Sequence, residues 1–344
     1  MLDTGSRISR RHFLAGLLTA AASTCPPDRV LSWQSQATKP KQDRALIAIT
    51  LDLEMSRNFP TWDQTHWDYS KGDLDEDSKK YALEASRRIK ENGGLAHFFV
   101  VGRVFEQENI GWLREIVQGG HSVGNHTYDH VNIKAAKPED IQFRFRRAPW
   151  LIQGKEVQEV IAENIRLTNL ALKTRLGITP DGFRTPGGFP NGISDRPDLQ
   201  QLLLSLGFDW VSSQYASHPM SPANQKPSRE VLEGIVKAQE VSQPFAYPSG
   251  LVEIPMSPIS DINAFRNGRW KLQFFIDAIR EAVQWTIEHG AVFDFLSHPS
   301  CLGVVDPKFE TIDLICQLVR EASDRATIVD LKTIAKTKVS RTEG

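Results

Sequence analysis

Short apolar runs alternate along the chain with longer stretches in which apolar residues recur at helical spacing. The runs, which are typical of buried strands, lie at 45–51, 96–101, 210–213, 251–254 and 292–296. The helical spacing is found at 157–176, 275–285 and 312–322. Strands that alternate with helices favour right-handed crossovers between parallel strands. The pattern therefore predicts a single α/β domain with a barrel-like sheet.

The two ends of the chain differ from this pattern. Arg10 and Arg11 precede an apolar run, 14–22, that is too short to cross a bilayer as a stable helix. We interpret residues 1–25 as a twin-arginine-type export signal, which predicts a periplasmic or extracellular protein; a disordered basic tail is the alternative. Residues 26–43 read as a linker, 44–338 as the folded domain and 339–344 as a tail. No later segment is apolar enough to predict a transmembrane span.

Composition narrows the classes of partner. With 41 Lys and Arg against 42 Asp and Glu, the net charge of -1 indicates neither a nucleic-acid nor an anionic-membrane partner. The three cysteines, Cys25, Cys301 and Cys316, are too few for a disulfide framework or a Cys-rich zinc site, although one Cys301–Cys316 bridge stays possible.

Two stretches, 132–155 and 215–250, read as long surface loops of the kind that more often serve binding than packing.

Candidate chemistry lies where the predicted strands end. Asp52 and Glu54 end the first strand, His126 and His130 follow a glycine-rich segment, and His298 follows the last strand. In parallel α/β barrels, functional groups gather at the carboxyl ends of strands. Two histidines four residues apart in a helix-like turn point the same way and can bind one cation, with an oxygen ligand to complete the set. The alternative is that both are surface or core histidines.

Three motifs follow one another in a recognisable order. They are His126-Thr-Tyr-Asp-His130, Arg184-Thr-Pro-Gly-Gly188 and Leu296-Ser-His-Pro299. Their order resembles that of the polysaccharide deacetylase family with its NodB-type domain, over about residues 45–335. The resemblance implies that residues 44–338 form a catalytic domain folded as a distorted (β/α)7 barrel.

One motif departs from the commonest pattern of that family. Typical members have Thr-Phe-Asp-Asp-Gly, whereas this chain has Thr50-Leu-Asp-Leu-Glu54. Asp52 matches the base, but Leu53 cannot bind a metal. A subgroup that includes certain peptidoglycan deacetylases and allantoinase-like hydrolases has the metal ligand two positions after the base, and Glu54 would take that role. The family's Asp-x-x-Asp-Trp motif is not evident in this chain.

The resemblance also implies a role for each residue. A divalent metal, zinc first and Co2+, Mn2+ or Ni2+ as other candidates, would be bound by Glu54, His126 and His130. Asp52 would act as general base, His298 as general acid, and Arg184 would pair with Asp52 and orient it. The predicted substrate contacts are Leu296, Pro186 and Trp67, and no organic cofactor is expected. The structural alternatives are a loop cap for Asp52 and Glu54, a structural ion pair for Arg184 and a packed loop histidine for His298.

The leading functional hypothesis is removal of N-acetyl groups from a polysaccharide such as peptidoglycan or a chitin-like glycan. A second hypothesis is hydrolysis of a small cyclic amide or ureide, as in the allantoinase-like subgroup. A third is a non-catalytic carbohydrate-binding relative. The sequence leaves the glycan, the native metal and the oligomeric state open.

Overall fold

The computed structural model describes residues 43–55 and 71–342. The predicted export signal and Trp67 therefore lie outside the described residues. Nine strands within them form one sheet: β1 (Ala45–Leu53), β2 (His97–Val100), β3 (Ser122–Asn125), β4 (Gly182–Phe189), β5 (Trp210–Gln214), β6 (Phe245–Ala246), β7 (Val252–Glu253), β8 (Val292–Ser297) and β9 (Ala326–Ile328). The α-helices are α1 (Glu76–Glu91), α2 (Gly111–Gln118), α3 (Pro138–Ile141), α4 (Phe143–Arg147), α5 (Val157–Leu176), α6 (Pro197–Ser205), α7 (Arg229–Val241), α8 (Leu272–His289), α9 (Pro299–Val305), α10 (Glu310–Ala322) and α11 (Leu331–Thr342).

The sheet is a curled row of mostly parallel strands. Its order is β6-β7-β5-β4-β3-β2-β1-β8, with β9 beside β1, and only the short strand β6 runs antiparallel among the described pairs. Just beyond β7, the backbone N–H of Ser257 donates to the carbonyl of Asp294 in β8 at 2.8 Å, which brings the two sides of the row together. Seven parallel strands, namely β1 to β5, β7 and β8, thus form the predicted distorted barrel, and the α/β fold class is confirmed.

The first strand shows why these runs are apolar throughout. Ile47, Ile49 and Leu51 are fully buried against the surrounding helices. Because successive side chains of a strand point to opposite faces, Thr50 and Asp52 face the barrel interior, where they are also buried. A strand covered on both faces reads as a continuous apolar run, with its few polar residues on the interior face.

The interpretation of two stretches as long surface loops is wrong. The stretches 132–155 and 215–250 are not simple loops, because the first contains α3 and α4 and the second contains α7. Ser228 caps the start of helix α7, since its side chain accepts a hydrogen bond from the Val231 N–H, and the helix buries Val231 and Ile235. The Cys301–Cys316 bridge is not formed, since both residues are buried free thiols.

The helices of the described residues are too short or too polar for a membrane span.

Two buried histidines outside the metal motif make the stability of the fold depend on pH. The Nδ1 atom of His121 accepts a hydrogen bond from the Ala96 N–H at 3.0 Å, and His97 stacks on Phe99 with ring centroids 4.5 Å apart. Burial lowers the pKa of both histidines from 6.5 to about 4. Between pH 6.5 and 4 the unfolded chain therefore binds more protons than the folded one. The contribution of these two neutral histidines to the free energy of unfolding is fully present above pH 6.5 and is lost as pH falls towards 4.

We expect the free energy of unfolding to fall by up to about 1.4 kcal/mol per pH unit for each of these histidines between pH 6.5 and 4. Urea denaturation across this range measures the slope. His121→Asn keeps an acceptor for the Ala96 N–H but does not titrate, so its slope should be smaller. His289→Asn, at the exposed end of α8, serves as the control. An unchanged slope in His121→Asn contradicts the assignment.

Candidate metal centre and active site

The two motif histidines converge through a tight turn, not through a helix. The segment that follows β3 has left-handed backbone at Thr127 (φ 58°) and His130 (φ 59°), so the predicted helix-like turn is wrong. Side chains hold this turn, because Asn125 Oδ1 accepts from the Thr127 N–H at 2.8 Å and Thr127 Oγ1 accepts from the Val131 N–H at 2.9 Å. The rings of His126 and His130 still meet, with centroids 5.0 Å apart.

Glu54 joins these histidines in one cluster. Its Oε2 atom lies 2.5 Å from His130 Nε2 and 3.8 Å from His126 Nε2, and one ligand atom of each residue lies within 4.8 Å of the others. His126 Nδ1 lies 3.0 Å from the carbonyl of Arg184, which can only accept, so Nδ1 carries the proton and Nε2 presents a lone pair to the cluster. Burial lowers the pKa of both histidines, that of His126 to about 4, and favours the neutral imidazoles that bind metals. Two histidines and one carboxylate fit a divalent cation such as zinc.

A buried lysine that the sequence analysis missed holds the other oxygen of Glu54. Lys71 Nζ donates to Glu54 Oε1 at 2.6 Å, and the two side chains are only 1% and 4% exposed. Burial raises the pKa of Glu54, but its interactions with His130 and with the Lys71 ammonium outweigh burial, so the pKa lies well below its ordinary value. Because one oxygen contacts Lys71 and the other faces the histidines, the site accommodates the extra methylene of a glutamate.

Asp52 lies beside this cluster, and its predicted partner is Arg184. Asp52 Oδ2 lies 3.6 Å from His126 Nε2, and Asp52 Oδ1 lies 3.5 Å from Arg184 Nη1. The closer carboxylate, however, is Asp294 of β8, which forms a fully buried ion pair with Arg184 Nη2. Thr50 Oγ1 connects the group, since it accepts from Arg184 Nη1 at 2.8 Å and donates to Asp294 Oδ1 at 2.7 Å. The expected Arg184–Asp52 contact is therefore the weaker arm of a network.

The sequence contained one signal for Asp294, which is a charged residue inside the otherwise apolar run 292–296. Burial raises the pKa of its carboxyl, although Arg184 and Thr50 act in the opposite direction. An acid in the middle of a buried strand requires a partner, but the sequence does not say which one.

His298 is fixed by a second missed acid, Asp261. The two oxygens of Asp261 accept from His298 Nδ1 at 2.9 Å and from the His298 N–H at 2.8 Å. Burial lowers the pKa of His298, but the charge and the hydrogen bond of Asp261 outweigh it, so the pKa is raised. His298 Nε2 lies 3.6 Å from Glu54 Oε1. Asp261 therefore orients His298 although the chain lacks an evident Asp-x-x-Asp-Trp motif. The one sequence signal for Asp261 was its position after the predicted strand 251–254.

The metal-binding cluster, Lys71, Asp52 and His298 line one cavity of about 300 Å3. Leu296, the predicted substrate contact, lines it together with Asp52, Glu54, His126, His130 and His298. Pro186 is buried within β4, and its neighbours Thr185 and Gly187 line the cavity in its place. The predicted contact through Trp67 lies outside the described residues.

Residues 74–209 match the family model described as Polysaccharide deacetylase. This segment of the chain is similar to the polysaccharide deacetylase family. The matched segment includes the two histidines and Arg184, which carried the resemblance in the sequence.

Individual known proteins show the same similarity. The chain is 35% identical over 60 residues to a chitooligosaccharide deacetylase of Azorhizobium caulinodans, and the match spans 17% of this chain and 28% of that relative. The probable polysaccharide deacetylase of Pseudomonas aeruginosa PAO1 is 14% identical, with a TM-score of 0.59 over 87% of this chain and 94% of that one. The allantoinase Puue is 13% identical, with a TM-score of 0.57 over 91% and 97% of the two chains. The two solved structures thus share the fold of this protein.

The Arg184–Asp294 pair generates a stability prediction. In Asp294→Asn the buried guanidinium loses its closest carboxylate, and we expect the free energy of unfolding to fall by about 3 kcal/mol. The matched control is Asp198→Asn, which removes the partner of Arg196 in a pair whose aspartate side chain is 42% exposed; its loss should stay within about 1 kcal/mol. Urea denaturation at pH 7 measures both. Losses of equal size would show that the buried pair contributes no more than a surface pair.

Proposed function

We propose that this protein is a metal-dependent hydrolase that removes N-acetyl groups from a polysaccharide such as peptidoglycan or a chitin-like glycan. The observation that carries the proposal is the cavity into which Asp52 and His298 converge beside the cluster of Glu54, His126 and His130. A candidate base and a candidate acid on either side of a metal-binding set suit the hydrolysis of an amide bond.

Each residue then has a definite task. A divalent cation, zinc first, would supply an activated water and polarise the amide carbonyl when bound. Asp52, oriented by Arg184, accepts the proton of the attacking water. His298 donates a proton to the departing amine nitrogen, and the charge of Asp261 keeps it protonated for that purpose. Leu296 offers an apolar contact for the acetyl methyl.

The alternatives have less support. The likeness to an allantoinase extends to the fold and selects no substrate. A non-catalytic carbohydrate-binding relative would not need Asp52 paired with an arginine and His298 paired with an aspartate beside a metal-binding set. We also propose export through residues 1–25, which rests on the arginine pair and the apolar run that follows it.

Metal binding and activity test the roles of His130 and Asp52. Metal-stripped protein should bind one zinc ion by calorimetry, and His130→Ala should weaken that binding strongly, because it removes one of three ligands. Asp52→Asn should lower acetate release from N-acetylglucosamine oligomers by about 10²- to 10⁴-fold, as expected for loss of a general base. Full activity of either variant would refute the assignment of its residue.

Zinc affinity also tests the role of Lys71. Lys71→Met should weaken zinc binding by about 10- to 100-fold, because a hydrogen-bonded partner of a ligand normally sets its orientation. Lys71→Arg should restore part of the affinity, while Lys80→Met, whose side chain is 76% exposed, should leave it unchanged. Tighter zinc binding in Lys71→Met would mean that the ammonium group competes with the cation.

A further inference from the structure

A short turn after α4 carries two large apolar side chains that are exposed. In the 3-10 turn Pro149–Ile152, Trp150 is 67% exposed and Leu151 is 42% exposed. The turn is fixed in place, because Ile152 and Phe145 pack into one buried apolar cluster. The two exposed side chains are therefore presented to solvent at a defined position. Neighbouring exposed apolar residues mark a contact surface more often than scattered single ones do.

The same segment is basic. Residues 141–155 contain three arginines and one lysine but no acid, although the chain as a whole is nearly neutral. Among the carboxylates that the structure describes, none forms an ion pair with Arg146. The guanidinium carbons of Arg146 and Arg147 lie 5.9 and 5.8 Å from the centroid of the Phe143 ring, so both positive groups lie beside one ring. We call the exposed residues of this segment the basic aromatic patch, which consists of Arg146, Arg147, Trp150 and Leu151.

The basic aromatic patch lies at the catalytic end of the barrel. Asp129, which stands between the two motif histidines in the sequence, forms an ion pair with Arg144 of the segment. The Asn132 N–H donates a hydrogen bond to the Ile141 carbonyl at 2.7 Å. These contacts attach the segment to the turn that carries two of the metal-binding residues. A partner that binds the patch therefore lies at the same end of the barrel as the catalytic cavity.

The size and the charge of the patch favour a membrane surface over a protein partner. Two exposed side chains of this kind offer on the order of 200–300 Å2 of surface, whereas a stable protein interface buries about 800 Å2 on each partner. A tryptophan and a leucine beside arginines suit the boundary between lipid headgroups and acyl chains, because the apolar groups enter it and the guanidinium groups bind phosphate. The net charge of the chain is only -1, so attraction to an anionic surface has to be local.

We propose that the basic aromatic patch binds the surface of an anionic phospholipid bilayer and holds the catalytic end of the barrel against it. This inference goes beyond the proposed hydrolase activity and does not depend on it. The binding is peripheral and sensitive to salt, because it rests on one exposed turn and a small group of basic side chains.

Vesicle sedimentation of the full-length chain tests this proposal. The wild-type protein should sediment with vesicles made of equal amounts of phosphatidylcholine and phosphatidylglycerol, and less with vesicles of phosphatidylcholine alone. About 0.5 M NaCl should release most of the bound protein. Trp150→Ala should raise the apparent Kd for the anionic vesicles about tenfold, because it removes the largest apolar group that enters the bilayer. Arg146→Gln should raise it about fivefold, as expected for one basic residue near an anionic surface.

The matched controls lie at the opposite end of the barrel. Val241 is 69% exposed at the end of α7, and the nearby Gln243 donates to the carbonyl of Val292 at the start of β8 at 3.1 Å. Arg325 is exposed and directly precedes β9. Val241→Ala therefore matches the apolar change and Arg325→Gln matches the change in charge, and both should bind vesicles as the wild-type protein does.

Two results would overturn the proposal. If Trp150→Ala and Arg146→Gln sediment as well as the wild-type protein, another segment, such as residues 1–25, carries the binding. If the wild-type protein does not sediment with anionic vesicles, the patch binds no membrane. Self-association of the wild-type protein that is lost in Trp150→Ala would then assign the patch to a second copy of this chain.

Discussion

The buried guanidinium of Arg184 is the constraint on which the rest of the structure depends. A cation with no exposed surface is tolerated only if carboxylates and hydroxyls surround it. Its partners come from three other strands: Thr50 and Asp52 of β1, Ser212 of β5 and Asp294 of β8. A shift of any of these strands by one residue would replace a polar partner with an outward-facing side chain. The same residue offers its carbonyl to His126 and so connects the barrel register to the metal cluster.

The site is a chain of paired charges, each acid having a basic neighbour. Asp294 and Asp52 share Arg184, Glu54 contacts Lys71, and Asp261 holds His298. This arrangement keeps several ionised groups inside one small cavity, where the local dielectric is low and an uncompensated charge is expensive. The departure from the family's commonest motif is therefore local. Glu54 has a longer side chain than the aspartate of the common motif, and Lys71 donates a hydrogen bond to its second carboxylate oxygen.

Periodicity predicted the regular elements where both faces of a strand or one face of a helix are apolar. Strand β1 and helix α5 are examples, and α5 spans the predicted residues 157–176. The apolar pattern did not predict strands β3 and β4, because both contain glycine residues that interrupt it. A Cβ atom on Gly124 would lie 2.7 Å from Phe99, and one on Gly182 would lie 1.8 Å from Trp210. Close packing in the barrel interior thus requires glycines that read as turns in the sequence.

For the site, motif order identified the residues that carry chemistry but not the residues that hold them. Asp294 lies within a predicted strand and Asp261 follows one, but neither of them nor Lys71 belongs to a motif, and only the folded barrel shows which groups they contact. The pairing of Arg184 illustrates the difference. Its two acidic partners are Asp52 and Asp294, and Asp294 is the closer one. The strand order of the folded sheet decides this, and the sequence alone does not show it.

The left-handed backbone at Thr127 and His130 has a consequence for how this protein can change. Non-glycine residues in this conformation each cost on the order of 1 kcal/mol. Glycine at 127 would relieve that strain, yet it would also remove the hydroxyl that accepts from the Val131 N–H and holds the turn between the two histidines. Selection for a more stable chain and selection for two converging imidazoles therefore favour different residues at the same position.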